Sequence, residues 1–189
     1  MKAPAEIRQI ATAIRDAATQ KTEGQSFLFQ GRSMEPLFKE GDRIGVKKTG
    51  LRNLVCGDII VYKRGVHHVV HRFLCMRNGE HGAKLLETKG DNLPAKDPPF
   101  LPDILVGRVA ALRRDGKMRW NFERPRWRFF FFILGHLSLW ENTVFDGVLR
   151  LCEWFKNRPV SNSGRRKLAT CIKFPKQCFV KLILFFIGR

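Results

Sequence analysis

The sequence predicts a mainly β domain, a sheet folded over on itself or closed into a barrel, with a short N-terminal helix and a C-terminal helical, basic, aromatic-rich extension. Three observations carry this. Between residues 26 and 111, short β-prone runs are separated by Gly, Asp and Asn turn signals. Before them, residues 3–20 repeat apolar side chains at helical spacing. After about Leu112 the composition shifts to aromatic residues interleaved with arginines.

Ile7, Ile10, Ala11, Ile14 and Ala18 fall on one face of the first helix, which the polar stretch Thr19 to Gln25 ends. Strands are expected at 26–30, 42–48, 58–63, 66–75, 83–88 and 104–113, bounded by turns such as Gly41-Asp42, Gly57-Asp58 and Gly90-Asp91-Asn92. Closely spaced short strands of this kind build barrels and folded sheets. Pro94, Pro98, Pro99 and Pro102 mark an extended loop before the last strand. In the extension, residues 137–155 place Leu137, Trp140, Val144, Val148, Leu151 and Phe155 on roughly one helical face, and a further apolar segment spans 179–187. Three regions follow: a helix and linker over 1–25, a β-rich domain over 26–111, and the extension over 112–189.

At 189 residues and 44% hydrophobic, the chain can bury a core, which argues against wholesale disorder. Its net charge of +18 divides as +6 over residues 1–111 and +12 over residues 112–189. That excess points the extension, through residues 120–189, to an anionic membrane surface and less to nucleic acid. It leaves equally open that the aromatics pack against the β domain or one another as an ordinary helical subdomain. The five cysteines include no CxxC pair, so neither a disulfide framework nor a zinc site is expected. Residues 1–26 contain no continuous apolar stretch and none elsewhere reaches about 18 residues, so neither a signal peptide nor a spanning anchor is expected. Peripheral membrane association, on the cytoplasmic side by preference, is the localisation this implies.

Three short motifs stand in order within the β-rich part. Gly31-Arg32-Ser33-Met34-Glu35-Pro36 sets a serine in a turn at the end of a strand. A serine hydroxyl becomes a nucleophile only when a base lies within reach and its backbone is held. Val69-Val70-His71-Arg72-Phe73 places a histidine on a strand, and imidazole has the unperturbed pKa best suited to proton exchange near neutrality. Thr88-Lys89-Gly90-Asp91-Asn92, followed by Asp97, offers two carboxylates that could fix the tautomer of His71, and spacing alone does not separate them. His67 and His71 share a strand face but lie about 13 Å apart along it, too far to hold one metal ion. No cofactor is called for.

The order of these motifs, with Gly41-Asp42 and Gly57-Asp58 opening two of the strands, resembles the signal peptidase I family over about residues 26–111. The resemblance is to the endoplasmic-reticulum and archaeal type, in which histidine replaces the lysine base. It implies a serine endopeptidase that cleaves after small residues of a peptide or protein substrate, as in signal-peptide or leader processing. It implies Ser33 as nucleophile, His71 as general base and Asp97 as the third catalytic position, with Asp91 assisting or structural. It also implies that the backbone N–H of Ser33 serves the oxyanion and that Met34 lines the substrate channel. Two other readings stand beside it. One is a self-cleaving Ser/Lys peptidase of the repressor type, with Lys84 or Lys89 as base. The other is a non-catalytic β module with a tail for nucleic acid or membrane.

Overall fold

A computed structural model describes residues 25–156, together with residues 161, 163, 167, 176, 177, 180 and 181. The helix expected over residues 3–20 lies outside them, as does most of the segment 179–187. Among the described residues, seven strands form one sheet: β1 (Gln25–Leu28), β2 (Arg43–Lys47), β3 (Ile59–Arg64), β4 (His67–Asn78), β5 (Lys84–Lys89), β6 (Leu105–Arg114) and β7 (Lys117–Asn121). A long helix, α1 (Pro125–Lys156), follows. The order across the sheet is β1-β2-β6-β3-β4-β5, with β7 added to β6, and every pairing is antiparallel.

The six strands expected from turn signals all form. β7, which was not expected, extends the sheet beyond residue 111. Its two apolar residues, Met118 and Trp120, sit two apart among Lys, Arg and Asn but only Trp120 is buried, so alternation gives little signal over so short a strand. Its hairpin is nonetheless written in Asp115-Gly116. Both residues adopt positive φ, 52° and 72°, the pairing a tight two-residue β-turn requires. α1 begins a dozen residues before the helix expected at 137–155. Pro125 suits a first helical position, and Trp127, Phe131, Leu134 and Ser138 recur at helical spacing on its buried face. The run of four phenylalanines hides that periodicity.

The sheet curls until β1 approaches the first half of β4. β1 and β4 share no hydrogen bonds, yet the Phe27 and His68 rings lie 4.6 Å apart between centroids. One core fills the space between sheet and helix, where Met34, Leu37, Phe38, Ile44, Leu112, Trp120, Phe122, Trp127, Phe131 and Leu134 pack together. A smaller core of Leu54, Ile60, Tyr62, Phe73 and Leu86 covers another part of the sheet.

Backbone contact docks α1 against the start of β3. A Cβ on Gly57 (φ +96°) would sit 1.7 Å from the Phe131 carbonyl oxygen, and one on Gly135 would sit 2.5 Å from the Gly57 nitrogen. Only two glycines facing each other allow the helix so close. Among the described residues of the extension, Trp120, Phe122, Trp127 and Phe131 are interior to the fold.

Candidate active site

The serine turn is fixed from below and from the side. Gly31, at φ +93°, takes the chain out of the β1 region in a conformation that other residues adopt only with strain. Met34, Leu37 and Phe38 are fully buried beneath the turn. Met34 thus anchors the turn in the core and does not border the open cleft. From the side, the Asn92 N–H donates to the Ser33 carbonyl at 2.7 Å, and the Asn92 amide donates to the Arg32 carbonyl at 3.1 Å. A Cβ on Gly90 would come within 2.9 Å of that same Ser33 oxygen. The Gly-Asp-Asn turn and the serine turn are therefore one packed unit.

His71 lies on β4, opposite Ile60 of β3, with only 5% of its surface exposed. Its Nδ1 is 2.6 Å from Asp97 Oδ2. The Thr88 hydroxyl donates to the same carboxylate oxygen at 2.7 Å, and the Asp97 N–H donates to the Thr88 carbonyl at 2.9 Å. Arg64 stands 3.9 Å from the other carboxylate oxygen. Burial would raise the Asp97 carboxyl. The His71 and Thr88 hydrogen bonds and the Arg64 charge outweigh it and hold the group below the usual carboxylate range. The Tyr62 hydroxyl, 3.4 Å from that of Thr88, is pushed up to about 12, chiefly by burial and also by the Asp97 charge, so it stays protonated.

The structure separates the two aspartates by strand alternation. Arg72 points to the face opposite His71. There it donates two hydrogen bonds to Asp91, at 2.8 and 2.6 Å, and a third to the Gly57 carbonyl, with its guanidinium over the Phe131 ring. Lys176 joins from the extension, 3.4 Å from Asp91, 3.5 Å from Glu141 and donating to the Ser138 hydroxyl at 2.6 Å. Burial would raise the Asp91 carboxyl, but Arg72 and Lys176 hold it far below the ordinary range. Gln177 reaches Asn92 at 3.3 Å.

The same alternation places the two candidate lysines. Lys89 follows Thr88 and faces α1, buried 3.3 Å from Glu141, with burial the main cause lowering its pKa. Lys84 donates to Asn78 at 2.6 Å, where β4 and β5 are joined. Lys89 lies on the face opposite His71 and Thr88, whereas Lys84 shares the Thr88 face but stands four residues, about 13 Å, away along β5.

A cleft of about 410 Å³ opens between β1 and the first half of β4. Phe27, Phe29, Ser33, His68, Val69 and Val70 line it. Ser33 is half-buried there, beside the residues that precede His71, and among the described residues its hydroxyl makes no hydrogen bond to the His71 ring. Among the described residues the cleft has two unpaired strand edges. β1 is an outer strand, and residues 67–71 pair only with β3, because β5 joins β4 from Arg72 onward.

Sequence reasoning missed the parts supplied by Tyr62, Ser138, Glu141, Lys176 and Gln177. The last four come from well outside the three motifs and carry no local signal, whereas Thr88, Arg72 and Asn92 sit inside those motifs.

No family model matches the chain. It is 40% identical over 86 residues to the signal peptidase complex catalytic subunit SEC11 of Eremothecium gossypii. The match covers 44% of this chain and 48% of that protein, so the chain spans about half the length of its curated relative. Over this part the chain is similar to a signal peptidase catalytic subunit.

Proposed function

We propose that this protein is a serine endopeptidase that cleaves peptide bonds after small residues, as in signal-peptide or leader processing. The carrying observation is the 2.6 Å contact between His71 Nδ1 and Asp97, buried beside the cleft that Ser33 lines. The contact leaves His71 Nε2 as the proton-accepting nitrogen, since the carboxylate takes the N–H of the other. Thr88 and Arg64 keep Asp97 ionised, and an ionised partner stabilises the imidazolium formed as the serine attacks.

An extended peptide entering between β1 and residues 67–71 would find backbone donors and acceptors on both sides, the arrangement by which strands add to an open sheet edge. Ser33 Oγ then attacks the scissile carbonyl, and His71 takes its proton and passes it to the leaving amine. The Ser33 N–H, held by the turn clamped through Asn92, stabilises the oxyanion. Water releases the acyl group by the same path in reverse. The closure of the serine hydroxyl onto Nε2 accompanies substrate binding, as catalytic hydrogen bonds often tighten only in the complex.

The location that goes with this activity is a membrane surface. α1 buries Trp127 and Phe131, but Phe129, Phe132 and Trp140 stay 62%, 44% and 59% exposed on its outer side. No helix among the described residues is long and apolar enough to cross a membrane; contact through these exposed rings would be interfacial.

The test is labelling with a serine-reactive fluorophosphonate beside a peptide-cleavage assay. Ser33→Ala should lose both signals and His71→Ala the cleavage, while Lys89→Ala keeps it in whatever fraction folds. Full cleavage by His71→Ala would overturn the assignment of the base, and full cleavage by Ser33→Ala the activity itself.

A further inference from the structure

A second concave site lies away from the serine cleft, where the end of β2, the 3-10 turn Leu51–Asn53, β6 and the first turns of α1 meet. Its volume is about 430 Å³. Five cationic side chains converge on it: Lys47, Lys48, Arg52, Arg108 and Arg128. They come from four separate parts of the fold, so this is not a charge run on one exposed strand or helix. The Thr49 hydroxyl and the Asn53 amide add neutral polar groups to the wall.

Acidic neighbours offset part of this charge. Glu123 bonds Lys47 at 3.1 Å and Arg108 at 2.9 Å, and Asp58 lies 3.5 Å from Arg108. Two carboxylates against five cations leave about three positive charges around one cavity. Among the described residues Lys48, Arg52 and Arg128 form no ion pair, and Arg108 Nε is buried without a hydrogen-bond partner. Like charges gathered in a concavity repel one another, and a bound anion relieves that repulsion. Planar guanidinium groups from different directions match the oxygens of a tetrahedral phosphate better than they match a lone carboxylate or chloride.

We infer that this cavity is a binding site for a phosphate group. Two sources supply that chemistry, a free phosphate anion or the headgroup of an anionic lipid. Arg128 connects the site to the outer side of α1, where Phe132 follows one turn later and is exposed, and Val55 of the cavity wall is exposed as well. A phosphate held here would therefore lie at the border of an apolar surface. The site uses none of Ser33, His71 or Asp97 and is independent of the peptidase reading.

The experiment uses the full chain and the double variant Arg52→Glu/Arg128→Glu, whose fold is checked by circular dichroism and thermal melting. Inorganic phosphate is titrated by calorimetry at constant ionic strength, with chloride as the control. In parallel, both proteins are floated with vesicles of phosphatidylcholine alone or of phosphatidylcholine with phosphatidic acid. Wild type should bind with saturation, and the folded variant at least about tenfold more weakly, as loss of charge-assisted hydrogen bonds implies. Saturable binding of inorganic phosphate makes the free anion sufficient. Retention on phosphatidic-acid vesicles alone makes the lipid headgroup the ligand. Equal behaviour of wild type and folded variant in both arms, or phosphate binding no stronger than chloride binding together with no retention on phosphatidic-acid vesicles, overturns the site. If the double variant does not fold, Lys48→Gln/Arg128→Gln takes its place under the same criteria.

Discussion

His71 and Arg72 are neighbours in the chain that serve opposite faces of the sheet. One turns to Asp97, the other to Asp91, Gly57 and the helix. Because side chains alternate along a strand, the His71–Asp97 contact and the charge cluster beneath α1 are separated by a single backbone layer. The Gly90–Asn92 turn belongs to both, since Asp91 enters the cluster while Asn92 holds the carbonyl of Ser33.

The two aspartates should fail differently. Asp97→Asn keeps the shape of the site but removes the charge facing His71, and should lower kcat by ~10³–10⁴-fold with little change in KM. Asp91→Asn leaves Arg72 buried beside a neutral partner and should cost ~3 kcal/mol or more of stability. Peptide-cleavage kinetics beside urea denaturation separates them. Equal activity of Asp97→Asn and the wild type would remove Asp97 from the mechanism.

Lys176 should support the site through the turn without touching substrate. Lys176→Met withdraws one cation from Asp91 and leaves the two Arg72 hydrogen bonds, so a loss of ~1–3 kcal/mol is expected. Activity per folded molecule should fall mainly in kcat. Parity in both measurements would mean that the extension does not support the serine turn.

Acid should destabilise the fold in a window set by these carboxyls. Asp91 and Asp97 have lowered folded-state pKa values, so each binds fewer protons folded than unfolded. Their contribution is complete above about pH 4, where an unfolded aspartate is ionised, and is lost as the pH falls through the lowered folded values. Melting temperature recorded between about pH 6 and pH 2 should therefore drop below about pH 4. The drop should be shallower in Asp91→Asn, and an identical slope in that variant would rule out Asp91 as its source.

Gly57→Ala should disturb the helix docking more than any ordinary surface change. The added Cβ would collide with the Phe131 carbonyl, a backbone group that cannot swing aside. Melting should fall by several degrees at least, and the near-ultraviolet signal of Trp127 should weaken. Unchanged melting would show that the helix can stand further off.

Much of this site was legible because it is written in short local motifs. The Ser33 turn, the His71 strand and the Gly90-Asp91-Asn92 turn each fall where β-propensity and turn chemistry place them. What stayed hidden was partnership. No spacing argument decides that Asp97 meets His71 while Asp91 meets Arg72, because that depends on the path of the loop between β5 and β6. The packing of α1 was concealed for another reason: Trp127 and Phe131 point inward while Phe129 and Phe132 point outward, and a run of identical residues does not say which is which. The cavity at Arg52 and Arg128 joins residues far apart in the chain, so composition could report only that the chain was basic.

The contacts from Lys176 to Asp91 and from Gln177 to Asn92 also set a timetable. Ribosomes deliver a chain from its N-terminus, so the serine turn and the histidine strand emerge long before the segment that braces them. Until residues 176 and 177 are out, the loop beside Ser33 lacks part of its support, and Asp91 depends on Arg72 alone. A newly made molecule would thus brace this loop fully only once residues 176 and 177 have emerged.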